Sequence, residues 1–184
     1  MTNSHDLENR YRNYFYLTDE NYNEVADWIL INNAEFDAYS SLHLLITNDG
    51  GEIWNAWALI DIIRSSDIPI HTYGLGQVCS SGLLIFIAGA TRTVTPRTTI
   101  MSHQFSSSAV GTHTEMKNEM TENDNMIGRM EKYYKQQLDL PNGIIQTRLL
   151  GDFDAWITAE EAKRLGIATT VTECIDMSVF STAV

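Results

Sequence analysis

The sequence predicts an α/β fold with parallel strand pairing, and two observations carry that expectation. Short apolar strand patterns alternate with helical ones, and the strand patterns stop at polar or glycine-containing turns. One stretch breaks the alternation: from Thr112 to Leu138, apolar residues recur at helical steps between charged ones. A chain of 184 residues with 43% hydrophobic content fits one domain with a substantial core. No repeat, low-complexity tract or linker divides it. The expected organisation is a polar, mobile segment over residues 1–13 and a single domain over residues 14–184.

In chain order, Tyr14-Phe15-Tyr16-Leu17 reads as the first strand. Thr18 or Asp19 caps a helix with Tyr22, Val25, Ala26, Trp28 and Ile29 on its buried side. Ser41–Thr47 is a buried strand halted by Asn48-Asp49-Gly50-Gly51. From Glu52 to Ile63, Ile53, Trp54, Trp57, Ile60, Ile62 and Ile63 make a largely apolar helix, which implies cover on more than one side. Ile68–Tyr73 is the next strand, and the apolar run Leu83–Ala88 continues a helix that opens near Ser80. Short strands follow at Thr91–Thr95 and Thr98–Met101. Across Thr112–Leu138, the residues Met116, Met120, Ile127, Met130, Tyr134 and Leu138 mark a long amphipathic helix with a narrow apolar seam.

Charge and composition narrow the function. The formal net charge is −12, and no cluster of Lys or Arg exceeds a dipeptide, which argues against nucleic-acid and anionic-membrane partners. No apolar run approaches bilayer length, and the N-terminal residues lack the basic-then-apolar layout of a signal peptide. The two cysteines, Cys79 and Cys174, form neither a disulfide framework nor a metal spacing. Cys79 reads as a small residue packing beside Ser80. A reducing, cytoplasmic compartment is expected.

The residues that carry chemistry lie at the ends of these elements. Ser80 sits in Gly76-Gln77-Val78-Cys79-Ser80-Ser81-Gly82, where a small-residue run opening an apolar helix sets a hydroxyl beside outward-pointing amides. Asn48-Asp49-Gly50-Gly51 ends one strand, His103 ends another, and Asp154 precedes a further one. Nucleophile, base, orienting acid and a glycine turn that offers an amide suit acyl transfer. Taken singly, each is weak: serine is common at helix starts as a cap, and histidine at a strand end is commonly structural. His5, His43, His71 and His113 fall in no comparable pattern and read as structural or surface residues.

Together, four ordered motifs resemble the proteolytic subunits of the Clp protease (the ClpP family). The family turn Asn-Ser-Pro-Gly-Gly reads Thr47-Asn48-Asp49-Gly50-Gly51, and Gly-Gln-(small)-(small)-Ser-Met-Gly reads Gly76 to Gly82. Met-Ile-His-Gln reads Met101-Ser102-His103-Gln104. Asp-Arg-Phe-(Leu/Met)-(Ser/Thr)-Ala reads Asp154-Ala155-Trp156-Ile157-Thr158-Ala159. The resemblance runs from Tyr14 to Ile175, with the spacing from Gly51 to Ser80 kept without a gap. It implies a crotonase-like superhelix of ββα units, with Thr112–Leu138 as a projecting handle helix that interlocks two rings of subunits. It also implies Ser80 as nucleophile, His103 as base, Asp154 as the acid that orients the imidazole, and the backbone N–H groups of Gly51 and Ser81 as the oxyanion hole. Asp152 is the other candidate acid. Spacing from His103 favours Asp152, whereas the aromatic-aliphatic-Thr-Ala sequence that follows favours Asp154.

The implied function is a serine endopeptidase acting on unfolded proteins and peptides inside a homo-oligomer of stacked heptameric rings, fed by a hexameric AAA+ unfoldase. The chain needs no cofactor or metal for this; ATP belongs to the partner, since no G-x-x-x-x-G-K-[ST] loop occurs here. Several positions depart from the family. Asp49 replaces a proline and is expected to face solvent and cap the next helix. Phe153 replaces an arginine, Phe105 a proline, and Leu45 and Ser65 replace aromatic residues of the ATPase docking pocket. Two other functions fit the motifs less fully. One is a catalytically silent structural subunit of a mixed ring. The other is an acyl-CoA enzyme of the wider crotonase superfamily, which uses paired amides without a Ser-His-Asp set.

Overall fold

Parallel strands covered on both faces carry nearly continuous apolar runs, and β2 (Leu42–Asn48) follows that rule with only Leu45 and Thr47 half-buried. The computed structural model describes residues 12–34 and 39–181. These divide into two compact units: residues up to Met101 with the stretch from Ile157 onward, and residues Ser102–Trp156.

In the first unit β1 (Tyr14–Leu17), β2, β3 (Ile70–Cys79), β4 (Arg92–Val94) and β6 (Thr170–Val171) lie side by side in that order, every pair parallel. The expected α/β architecture is the observed one. β3 extends beyond the expected Ile68–Tyr73 and runs through Gly74 and Gly76 to Cys79. Glycines read locally as turn punctuation, but here a second neighbour sustains the ladder: β5 (Thr99–Ser102) pairs with Gln77 to Cys79 after β4 has paired with Thr72 to Gly74.

Helices α1 (Tyr22–Ala34), α2 (Ile53–Ser65) and α3 (Ser81–Phe86) pack in sequence, α1 on α2 and α2 on α3. Asn21, not Thr18 or Asp19, starts α1: its carbonyl accepts from Val25 N–H at 3.1 Å, and its side chain accepts from Thr18 N–H at 2.9 Å. Helix α1 buries Tyr22, Val25, Trp28 and Ile29, and α2 buries Ala56, Leu59, Ile60 and Ile63. Trp54 remains 53% exposed, whereas Ile53, Trp57 and Ile62 are half-buried, so the second apolar side of α2 is covered in part. Every residue of α3 is buried, as suits a helix that is apolar after Ser81.

The first and last described segments meet beside the N-terminal ends of β1 to β3. Of the segment expected to be mobile, residues 1–11 lie outside the described residues. Asn13 exchanges backbone and side-chain hydrogen bonds with Ser181 and Val179, at 2.7–3.1 Å. Phe180 packs edge-on against Tyr14, His43 and Tyr73. His43 Nδ1 meets Tyr73 Oη at 3.0 Å, and His71 Nδ1 meets Thr91 Oγ1 at 2.8 Å. Burial, with the neighbouring His71 second, lowers the His43 pKa from 6.5 to about 4; burial also lowers that of His71. The unfolded chain therefore binds protons at higher pH than the fold does. The stability His43 contributes is full above pH 6.5 and is lost as pH falls from 6.5 to about 4. The thermal midpoint should drop across that window and His43→Gln should flatten the drop; a profile indifferent to the substitution would contradict this account.

The second unit contains α4 (His113–Gln137), started by a capping box. Thr112 Oγ1 accepts from Glu115 N–H, and the Glu115 carboxylate accepts from Thr112 N–H. That hydrogen bond, with one from the Thr112 hydroxyl, holds the Glu115 carboxyl below its ordinary pKa. The first turns of α4 are exposed throughout, Met116 and Met120 included, while Met126, Met130, Tyr133 and Tyr134 are buried. The C-terminal half of the expected seam is thus buried, at Met130, Tyr134 and Leu138, and Met126 and Tyr133 widen it, while Met116 and Met120 stay uncovered. Ser102 Oγ donates to Leu149 O at 2.7 Å and receives the Tyr134 hydroxyl at 2.9 Å. Burial pushes the Tyr134 phenol up to about 12.

Candidate active site

Parallel β2 and β3 bring their C-terminal ends to the same edge of the sheet, with Asn48 opposite Val78. At such edges the turns leaving the strands meet, and α/β sheets bind ligands there. The turn after β2 is Asp49-Gly50-Gly51, and the turn after β3 is Ser80. They abut closely: a Cβ at Gly50 would lie 2.8 Å from Ser80 Cβ and 3.3 Å from its Oγ. Gly50 and Gly51 have φ values of 112° and 152°, a region open to glycine.

Ser80 itself adopts φ 53°, ψ −120°, and is the one non-glycine residue with positive φ among the described residues. An L-residue held there costs about 1–3 kcal/mol, and such strain collects at functional positions. A serine on a strained strand-to-helix turn has its hydroxyl turned out of the strand, the arrangement of a nucleophile elbow. Ser80 N–H donates to Met101 O at 2.9 Å, and its carbonyl accepts the first N–H groups of α3. Its side chain makes no capping bond to that helix. The ordinary explanation for serine at a helix start therefore does not apply. Cys79 is buried beside it.

His103 lies two residues beyond Met101 in the chain, within the second unit, together with Asp154. Its Nδ1 is 3.6 Å from Asp154 Oδ1, within ion-pair reach and longer than a hydrogen bond. His103 is three-quarters buried at its side chain, while Asp154 is 55% exposed. Of the two candidate carboxylates, Asp154 is the one paired with the imidazole; Asp152 is exposed and in no ion pair among the described residues.

Asp49 does face solvent, but it caps nothing. Glu52 holds the N-cap position of α2 without a side-chain cap, and Asp49 instead accepts from Gln77 Nε2 while its N–H donates to Asp19 at 2.7 Å. Its charge is thereby fixed outside the glycine turn.

Two residues around this edge carry more than their sequence positions suggest. Asn48, buried at 1% exposure, accepts from Gly50 N–H at 2.9 Å and donates to Thr18 O at 2.8 Å. The Tyr22 hydroxyl meets Asn48 Oδ1 and Ser81 Oγ, each at 3.3 Å. An amide ending a buried strand just before Asp-Gly-Gly was the available signal for Asn48; Tyr22 offered none beyond its place on the apolar side of α1. Among the described residues no group of three His, Cys, Asp or Glu is arranged to hold a metal ion, and no helix is long and apolar enough to cross a membrane.

Comparison with known proteins gives a consistent result. The sequence model of the Clp protease family matches residues 13–174. The ATP-dependent Clp protease proteolytic subunit 1 of Leifsonia xyli subsp. xyli is 30% identical over 161 residues, spanning 85% of this chain and 79% of that protein. Proteolytic subunit 2 of Corynebacterium efficiens is 29% identical over 157 residues, 84% of this chain and 77% of its own. Proteolytic subunit 2 of Thermobifida fusca is 28% identical over 159 residues, 84% and 76% respectively. With a match over nearly the whole described chain, a parallel sheet and motifs in the family's order, this protein belongs to the Clp protease family.

Proposed function

We propose that this chain is a serine endopeptidase, and the strained backbone of Ser80 is the observation that carries the reading. Ser80 Oγ attacks the carbonyl carbon of a peptide bond while His103 takes its proton. The carbonyl oxygen becomes an oxyanion, for which the N–H groups of Gly51 and Ser81 are the donors; removing one such donor typically costs about 10²–10³ in turnover. His103 then returns the proton to the departing amine as the C–N bond breaks. Water, deprotonated by His103, releases the acyl group and restores Ser80. Asp154 orients the imidazole and stabilises its protonated form.

The substrates are unfolded chains and peptides, and the working form is a homo-oligomer of stacked heptameric rings in a cytoplasmic or similar reducing compartment. Exposed Met116, Met120 and Trp54 supply apolar surface for self-association. A hexameric AAA+ unfoldase is the proposed partner, and it consumes the ATP. The relatives' names as subunits of ATP-dependent proteases support that assignment.

The test is a fluorophosphonate reaction followed by peptide mass mapping. An adduct on Ser80 that disappears in His103→Ala is the expected result. No adduct on the assembled protein would overturn the peptidase reading and favour a silent subunit of a mixed ring.

A further inference from the structure

A buried phenol needs hydrogen-bond partners, and where it finds them can reveal what it holds in place. Tyr22 opens α1 and is 6% exposed. Its oxygen lies 3.3 Å from Asn48 Oδ1, 3.3 Å from Ser81 Oγ and 3.5 Å from Gly50 O. Those groups come from the two turns that carry the proposed oxyanion amides. We propose that the Tyr22 hydroxyl is a positioning group that aims both amides, a role that rests on the peptidase reading above.

The geometry gives each half of that role a physical basis. In a trans peptide the C=O and the following N–H point to opposite sides of one plane. Holding Gly50 O towards Tyr22 therefore turns the Gly51 N–H to the far side. Asn48 fixes the same turn from its other end, through the bond from Gly50 N–H. Its amide is clamped against the start of α3: a Cβ at Gly82 would fall 2.5 Å from Asn48 Oδ1. On the second turn, Ser81 Oγ meets the phenol oxygen, which restrains the residue whose N–H is the other donor. The proton count closes. The Ser81 hydroxyl donates to the phenol oxygen, and the single phenol proton is shared between Asn48 Oδ1 and Gly50 O.

Oxyanion donors act only within a narrow range of the developing charge, so a brace on both turns controls the transition state more than substrate binding. Tyr22→Phe keeps the ring and removes the brace. Because both amides remain, the loss should be smaller than deletion of a donor: kcat falls about tenfold with KM nearly unchanged. A peptide aldehyde, which adds to Ser80 as a tetrahedral adduct, should bind about tenfold more weakly. A product peptide should bind as before. A purely structural tyrosine would lower the thermal midpoint without this split. Ser81→Ala, which keeps the backbone N–H, should shift kcat and aldehyde affinity in the same direction. The double variant should lose less than the product of the two single losses, because both break one network.

Turnover and aldehyde affinity that Tyr22→Phe leaves within about twofold of the parent would overturn the brace, as would fully multiplicative losses in the double variant. Should Tyr22→Phe fail to fold, aldehyde affinity in Ser81→Ala decides by the same criterion. Ser80-dependent turnover that ignores Tyr22 removes the brace alone; absence of any Ser80-dependent turnover removes both readings.

Discussion

Ser80→Ala should reduce peptide hydrolysis by a factor on the order of 10⁶, the scale seen when a serine protease loses its nucleophile. The substitution should leave the fold nearly as stable as before, because alanine at φ 53° is strained much as serine is. Ser80→Gly makes the sharper comparison. Glycine occupies that backbone region freely, so the variant should be inactive yet more stable, by about 1–3 kcal/mol. Paired thermal melts and peptide assays on the two variants check both points. A Ser80→Gly protein less stable than its parent would mean that the turn stores no strain and that the elbow is only a loop.

Gly50→Ala has the next largest expected effect, and it acts on the same edge from the other side. The new Cβ would meet Ser80 Cβ at 2.8 Å, closer than such atoms pack, at a residue whose φ is 112°. Backbone strain alone costs about 1–3 kcal/mol, and the contact cannot be relieved by a flexible side chain, because Ser80 is itself fixed by its bond to Met101 O. Loss of stability and loss of turnover should therefore appear together, with turnover falling at least as far as on deletion of an oxyanion donor, about 10²-fold. Normal hydrolysis by Gly50→Ala would show that the turn yields without disturbing the nucleophile. The close approach would then have no catalytic meaning.

Much of this fold is legible in the order of residues because its signals are local. β1 appears where Tyr14–Leu17 predicts it, and the three-and-four spacing after Thr112 foretells α4 within a residue. Turn residues likewise mark the end of β2 at Asn48-Asp49-Gly50-Gly51. The structure departs from the local signs where a distant partner overrides them. Gly74 and Gly76 look like a turn, but β5 pairs with the far end of β3 and keeps it extended. In α4 the seam residues Met130, Tyr134 and Leu138 are buried as expected, but Met116 and Met120 are not, since periodicity marks an apolar face without saying how far along the helix a partner covers it.

The site divides in the same way. The resemblance carried by four ordered motifs nominated Ser80, His103, Gly51, Ser81 and an aspartate, whereas each residue type taken singly was a weak sign. Tertiary structure decided which carboxylate meets His103, that Ser80 is strained instead of capping its helix, and that Asp49 is held by Gln77 away from the turn. It also brought the Tyr22 hydroxyl to Ser81 across 59 residues of chain. Composition and spacing record what each segment prefers by itself. Which hydroxyl meets which amide depends on strand register and helix packing, and those are settled only when distant segments bury one another.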